Sequence, residues 1–254
     1  MKQLLNKWLK NRQLLNVCAS IGLLQQAIFQ QNCLLCTASA AHYRSLCQSC
    51  SQDLPWQAMT SCPQCGLNSD GNVCGSCLNS TPDFDVTKAV FLYAYPIDAM
   101  MQRYKYGKSL HLGGTFGAFL AEKVKIEKRF NNIDLIIPMP MHPQRLKERG
   151  FNQALEIAKV LCKNQKEKLD CKSVIRQTLT PPQASLPLKA RVKNIKGAFK
   201  VNADKLDKIQ GKRIAIVDDV MTTGASLNEL AKTLKKAGTA HVECWVIART
   251  LPHK

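Results

Sequence analysis

The chain is 254 residues long, with 36 Lys and Arg against 18 Asp and Glu, a formal charge of +18, and 12 cysteines. That length suits one large domain with one small one, and no apolar run reaches the roughly 18–20 residues of a membrane span. The charge makes polyanions the expected partners, whether nucleic acid, anionic lipid or phosphorylated small molecules, and does not choose among them.

At the N-terminus, Lys2, Lys7, Lys10 and Arg12 precede an apolar stretch at 14–24 and so imitate a secretion signal. Asn16 and Ser20 interrupt the stretch, Gln25 and Gln26 end it, and no small-residue cleavage site follows. At helical spacing, Leu5, Leu9, Val17, Ile21, Leu24 and Ile28 form a stripe, which predicts an amphipathic helix over 1–30. The expected location is the cytoplasm, including association with the inner face of the membrane.

Residues 31–80 hold four Cys-x-x-Cys pairs: Cys33/Cys36, Cys47/Cys50, Cys62/Cys65 and Cys74/Cys77. Two such knuckles supply four thiolates to one tetrahedral zinc. The gaps suit two four-thiolate sites in series, Cys33/Cys36/Cys47/Cys50 and Cys62/Cys65/Cys74/Cys77, and spacing alone does not exclude an interleaved pairing. A disulfide framework would need an oxidising compartment, which the missing export signal disfavours. Large apolar residues are few, so metal binding must contribute much of the folding energy. Four thiolates leave no open coordination position, so the zinc is expected to be structural. Cys18, Cys162, Cys171 and Cys244 stand apart and read as ordinary thiols.

Thr81-Pro82-Asp83 marks a boundary, and residues 84–254 read as the larger domain. Residues 85–95 alternate as a strand does. Tyr104, Lys105, Tyr106 and Lys108 follow, a mix of cations and rings that can engage nucleic acid or simply cover the core. Residues 111–128 predict a helix and 133–137 a buried strand. The strand ends in a rigid Pro138-Met-Pro-Met-His-Pro143 connection. Arg145, Lys147 and Arg149 then lead to Asn152, an N-cap for a helix over 154–162, where the basic cluster suits a second anion. From Arg176 to Phe199 a polar, proline-broken stretch reads as a loop that closes over a site.

The most informative stretch comes next. Ile214-Ala-Ile-Val217 reads as a buried strand, and Asp218 and Asp219 stand where that strand is expected to end. Thr222, Thr223, Gly224, Ala225 and Ser226 make a small-residue turn. Leu227, Leu230, Ala231, Leu234 and Ala237 then give a helical stripe stopped by Gly238. Ser226 and Glu229 also spell a capping box. A tight loop at a helix N-terminus offers unpaired N–H groups to a phosphate. A ribose 5-phosphate reconciles that phosphate with two carboxylates, because its sugar hydroxyls donate to them with Mg²⁺ nearby. Residues 242–248 give a last strand. No dinucleotide or Walker-type glycine loop is present, and the alternation of strands and helices predicts an α/β fold with a parallel sheet.

Residues 217–226 resemble the phosphoribosyl pyrophosphate (PRPP) loop of type I phosphoribosyltransferases. The Cys-x-x-Cys pairs, Pro138-Met-Pro-Met-His142, Arg149-Gly-Phe-Asn-Gln153, Thr180-Pro-Pro-Gln183, Arg191-Val-Lys-Asn194 and Asp218-Asp-Val-Met-Thr-Thr-Gly-Ala-Ser226 follow one another as in the ComF family. The resemblance covers roughly residues 30–250. It implies a double zinc ribbon ahead of a type I phosphoribosyltransferase-like parallel sheet with helices on both faces. Asp218 and Asp219 would then take the PRPP ribose and Mg²⁺, and residues 222–226 its 5′-phosphate. Arg149, Gln183 and Arg191 would meet the pyrophosphate or form the closing loop, with Lys105 and Lys108 toward nucleic acid. The resemblance further implies a competence protein that handles incoming single-stranded DNA, with a DNA-uptake or helicase partner. The alternative is a catalytically active phosphoribosyltransferase of nucleobase or nucleotide metabolism. Such an enzyme needs a base-recognition loop after the final strand, and the short run at 249–254 favours the competence reading.

Overall fold

The computed structural model describes residues 32–40, 45–58, 60–107, 109–179 and 195–252. These form two compact units divided between Asp53 and Leu54. The helix expected over 1–30, Lys108 and most of the proline-broken stretch, with Gln183 and Arg191, lie outside the described residues.

In the first unit Cys33 and Leu46 are buried. The turn after Cys33 closes through Thr37 N–H on the Cys33 carbonyl, and helix α1 (Gln48–Gln52) is capped by Cys47 Sγ, which accepts from Cys50 N–H.

The second unit opens with a Cys-rich hairpin, Ser61 bridging Asn68, and helix α2 (Gly75–Asn79). There follow β1 (Val86–Leu92), α3 (Ile97–Tyr106), α4 (His111–Ile126), β2 (Leu135–Pro138), α5 (Pro143–Arg149) and α6 (Gln153–Leu161). The remaining elements are β3 (Val174–Arg176), β4 (Phe199–Val201), α7 (Leu206–Ile209), β5 (Arg213–Met221), α8 (Ala225–Lys236) and β6 (His241–Arg249). Strands β1, β6, β5 and β2 form a sheet in that order, every neighbouring pair parallel.

The apolar run Ile214-Ala-Ile-Val217 is fully buried in β5, as a strand with parallel neighbours on both sides requires. Leu227, Leu230, Ala231 and Leu234 of α8 are buried in one cluster with Ile214, Ile216, Val242 and Val246. Each such large side chain contributes about 1.5–3 kcal/mol by leaving water. Ala237 ends the helix and Gly238 follows at φ +89°, the left-handed position a C′ glycine takes.

Three details depart from the sequence reading. Strand β5 does not end at the carboxylates. It runs on to Met221, because Asp218, Val220 and Met221 still pair with Val246, Ala248 and Arg249 of β6. The two ends of the proline-broken stretch are not loop. Val174, Ile175 and Arg176 pair antiparallel with Val201, Lys200 and Phe199, and Val174 and Phe199 are buried. The capping box does not form: Gly224 is the N-cap of α8, so Ser226 is already helical. Glu229 Oε1 instead accepts the Gly197 N–H at 2.8 Å.

Candidate functional site

The cysteines pair in series. Cys33, Cys36, Cys47 and Cys50 form one cluster, and Cys62, Cys65, Cys74 and Cys77 the other, with all four sulfurs of each within 4.8 Å of one another. This settles the pairing that spacing left open. Cys36 Sγ lies 3.6 Å from Cys47 Sγ, and Cys65 Sγ 3.6 Å from Cys74 Sγ. Four sulfurs about 2.3 Å from a tetrahedral zinc sit roughly 3.8 Å apart, so the donor sets fit Zn²⁺. Burial works to raise the Cys62 thiol, but N–H donors from Cys65 and Cys74 prevail and bring it down to about 7.

The Cys62/Cys65 knuckle is fastened to the rest of the second unit by four successive carbonyls. Pro63 O accepts from Thr87 N–H at 3.0 Å, and Gln64 O from Thr87 Oγ1 at 2.6 Å. Cys65 O accepts from Arg249 Nε at 2.9 Å, and Gly66 O from Gln57 Nε2 at 2.9 Å.

At the C-terminal end of β5 a recess of about 80 Å³ is lined by Asp218, Val220, Met221, Thr222, Gly224, Ala225, Ser226 and Leu227. The loop is shaped by its small residues. Gly224 sits at φ +80°, and a Cβ there would lie 2.8 Å from Met221 Cε. Thr223 Oγ1 accepts the Ala225 N–H at 3.3 Å.

Asp219 is buried and its Oδ2 meets Lys105 Nζ at 3.2 Å. Burial, and then the Asp219 charge, push the Asp218 carboxyl up to about 7; Lys105 and Arg176 pull the other way without prevailing. Burial disfavours the Lys105 ammonium, yet Asp219 and Asp218 outweigh it and hold the lysine above its ordinary value. Arg176 lies over the Phe199 ring at 5.7 Å and feels the Asp218 charge.

The basic strand-to-helix junction lies close by. Asn152 caps α6 by accepting from Leu155 N–H and donates to Met139 O, which ties the proline connection to the helix. Arg149 Nη1 donates to Gln153 Oε1 at 3.0 Å, and its guanidinium stands 5.4 Å from the Tyr106 ring centre. Tyr104 is fully buried and donates to Gln153 O at 2.9 Å. Burial and the Asp219 charge both raise its hydroxyl, which links this junction to the acidic pair.

Comparison with known proteins fits this arrangement. The family model for a double zinc ribbon domain matches residues 24–80, and that for a phosphoribosyl transferase domain matches residues 147–252. A protein named DNA utilization protein YhgH, from Escherichia coli O6:H1, is 31% identical over 226 residues, covering 86% of this chain and 97% of the relative. Competence protein F of Haemophilus influenzae is 31% identical over 231 residues, covering 87% and 98%. The chain belongs to the ComF family. Competence protein ComFC of Streptococcus pneumoniae is a more distant relative, 26% identical over 214 residues.

In this ComF chain the structure brings together Asp218, Asp219, the loop Thr222 to Ser226 and Lys105. Arg149 stands at the neighbouring junction. Two cations of this region were not singled out for it from the sequence. Arg176 marks only the start of a loop until its pairing with Phe199 is known. In the sequence reading Arg249 stands just after the last strand; in the structure it ends β6, and its pairing with Met221 gives it meaning. Among the described residues no helix is long and apolar enough to cross a membrane.

Proposed function

We propose that this ComF protein binds PRPP with Mg²⁺ at residues 218–226 and acts in handling incoming single-stranded DNA during natural transformation. The observation that carries the reading is a pair of largely buried carboxylates beside a small-residue recess at a helix N-terminus. Asp218 held up at about 7 is a carboxyl short of positive partners. A cation with sugar hydroxyls supplies them, so the pair fits Mg²⁺ and ribose together. Residues 222–226 then meet the 5′-phosphate through N–H groups and hydroxyls, with Arg149 toward the pyrophosphate. Bound Mg²⁺ supplies charge neutralisation for that pyrophosphate.

The DNA part of the reading draws on the net charge and on the relatives' names, a DNA utilization protein and competence proteins. Tyr106 is 67% exposed beside Arg149, an aromatic–cation pair of the kind on which bases stack. Lys108 is a further cation of this sequence region, whereas Lys105 acts first on Asp219.

The second reading is an active transferase, favoured by the same carboxyl. A group with a pKa near 7 is suited to taking a proton from a nitrogen nucleophile. Calorimetric titration with PRPP and Mg²⁺ tests the first reading: the wild type binds, and the Asp218→Asn/Asp219→Asn variant loses binding while keeping its zinc content. Unaltered affinity in that variant would sink the ribose assignment. Pyrophosphate release with any of a panel of bases would move the protein to the second reading.

A further inference from the structure

Arg249 joins the second metal cluster to the phosphate loop. Its place is set by register: β6 pairs Arg249 with Met221, the last residue of β5, so the side chain emerges where the loop begins. It is only 4% exposed. Nε donates to the carbonyl of the zinc-ligand residue Cys65 at 2.9 Å. Nη1 donates to Met221 O at 3.0 Å, to Thr222 O, and to Thr250 O at 2.8 Å. In a trans peptide the C=O and the following N–H point opposite ways. Drawing the Thr222 carbonyl onto Arg249 therefore turns the Thr223 N–H away from the guanidinium. The planar fork of a guanidinium can hold two backbone segments in fixed relation, which a lysine ammonium cannot.

We propose that Arg249 is a positioning residue that relays the metal state of the Cys62/Cys65/Cys74/Cys77 cluster to the Thr222–Ser226 loop. With zinc bound, the knuckle holds its Cys65 carbonyl on Arg249 Nε, and the fixed guanidinium holds the loop in its anion-binding form. When zinc leaves, the knuckle relaxes, Arg249 loses its anchor, and affinity for the phosphoribosyl ligand falls. The proposal rests on PRPP binding at this loop.

Its test uses the full chain, loaded with zinc, titrated with PRPP and Mg²⁺ by calorimetry. Cys77→Ser, which disables the second cluster, weakens binding about tenfold or more, the scale of one lost charged hydrogen bond. Cys36→Ser, in the first cluster, leaves it within twofold. Arg249→Met weakens binding as much as Cys77→Ser, and the double variant is no weaker than either. Arg249→Lys, which keeps charge and most of the volume, restores little of the loss. Equal losses from Cys36→Ser and Cys77→Ser, or a double variant whose loss is the product of the two, would overturn the relay.

A second readout separates this idea from the ligand assignment. Amide hydrogen exchange at residues 222–227, measured without ligand, speeds up when a chelator strips zinc from the wild type. It is already fast in zinc-loaded Arg249→Met. A wild type that fails to bind PRPP while showing this exchange pattern retires the ligand assignment and keeps the coupling. Exchange that ignores zinc retires the coupling whatever the ligand does.

Discussion

Asp218 and Asp219 lie next to each other on β5, and backbone alternation sends them to different surroundings. Asp219 is engaged by Lys105; at Asp218 burial and the Asp219 charge outweigh the Asp219 N–H, Lys105 and Arg176 and hold its carboxyl at about 7 against an ordinary value near 4. The consequence for the unliganded protein has a definite sign. Between about pH 4 and pH 7 the folded chain keeps a proton that the unfolded chain has released. Asp218 therefore makes the fold less stable as pH rises through that window. Comparing thermal unfolding of the wild type with Asp218→Asn at pH 5 and pH 7.5 should show the variant gaining relative stability at the higher pH. A relative loss there would contradict the assignment. Ligand binding runs the other way, because Mg²⁺ and hydroxyl donors prefer the carboxylate. PRPP affinity should rise through pH 7 with release of a proton, read by calorimetry in buffers of different ionisation heat. Lys105→Met removes the cation that opposes the shift and should move this rise to higher pH.

Between elements, the acidic pair depends on how α3, α4 and α6 stack behind it. Tyr104 of α3 bonds Gln153 O at the start of α6. On α4, a Cβ at Gly113 would stand 2.8 Å from Tyr104 Oη and 3.2 Å from Glu156 Cβ, and one at Gly117 would stand 2.6 Å from Val160 Cβ. Two glycines four apart on α4 thus face two residues four apart on α6, and their missing side chains let the helices approach. Gly117→Ala should destabilise the protein by about 1–3 kcal/mol, since the contact is with a branch point rather than a flexible tip. Val160→Ala should recover most of that loss in the double variant, measured by chemical denaturation. An additive cycle would mean the crossing is looser than these distances require. The sequence pattern foretold α4 through Leu112, Phe116, Phe119 and Leu120, because a buried stripe leaves a 3.6-residue period. It could not foretell the glycine seam, which acquires meaning only when a second helix lies against it. The loop at residues 222–226 was legible for the opposite reason: its chemistry is local, carried by adjacent residues along the chain. Arg249 was not, since its role depends on the alignment of two strands and on a knuckle 184 residues earlier. The β3–β4 ladder was hidden in the same way, being three residues long on each side of a polar stretch.

Across the whole molecule, an excess of positive charge sets how the protein meets a polyanion, but that excess is not all available. Lys105 is held by Asp219, Lys235 by Asp85, Arg129 by the fully buried Glu243, and Lys88 and Lys123 by Glu127. Arg249 is enclosed by carbonyls. The proposed binding to single-stranded DNA would draw on cations outside these pairs. The expected signature is a logarithmic affinity that falls linearly with the logarithm of salt concentration, by about 0.7 for each phosphate neutralised. Arg149→Gln should reduce that slope by about one contact and weaken binding at every sequence tested, because phosphate contacts carry no base information. Lys105→Met should leave the slope nearly unchanged while altering PRPP binding, because its charge is already spent on Asp219. Fluorescence anisotropy with a mixed-sequence oligonucleotide, repeated from low to physiological salt, reads both slopes. Affinity that ignores salt would remove electrostatics, and with it the basic surface, from the account of DNA handling. A steep slope lost equally in Lys105→Met and Arg149→Gln would show that the Lys105–Asp219 pair opens when the polyanion arrives, and would join the two binding functions at that pair.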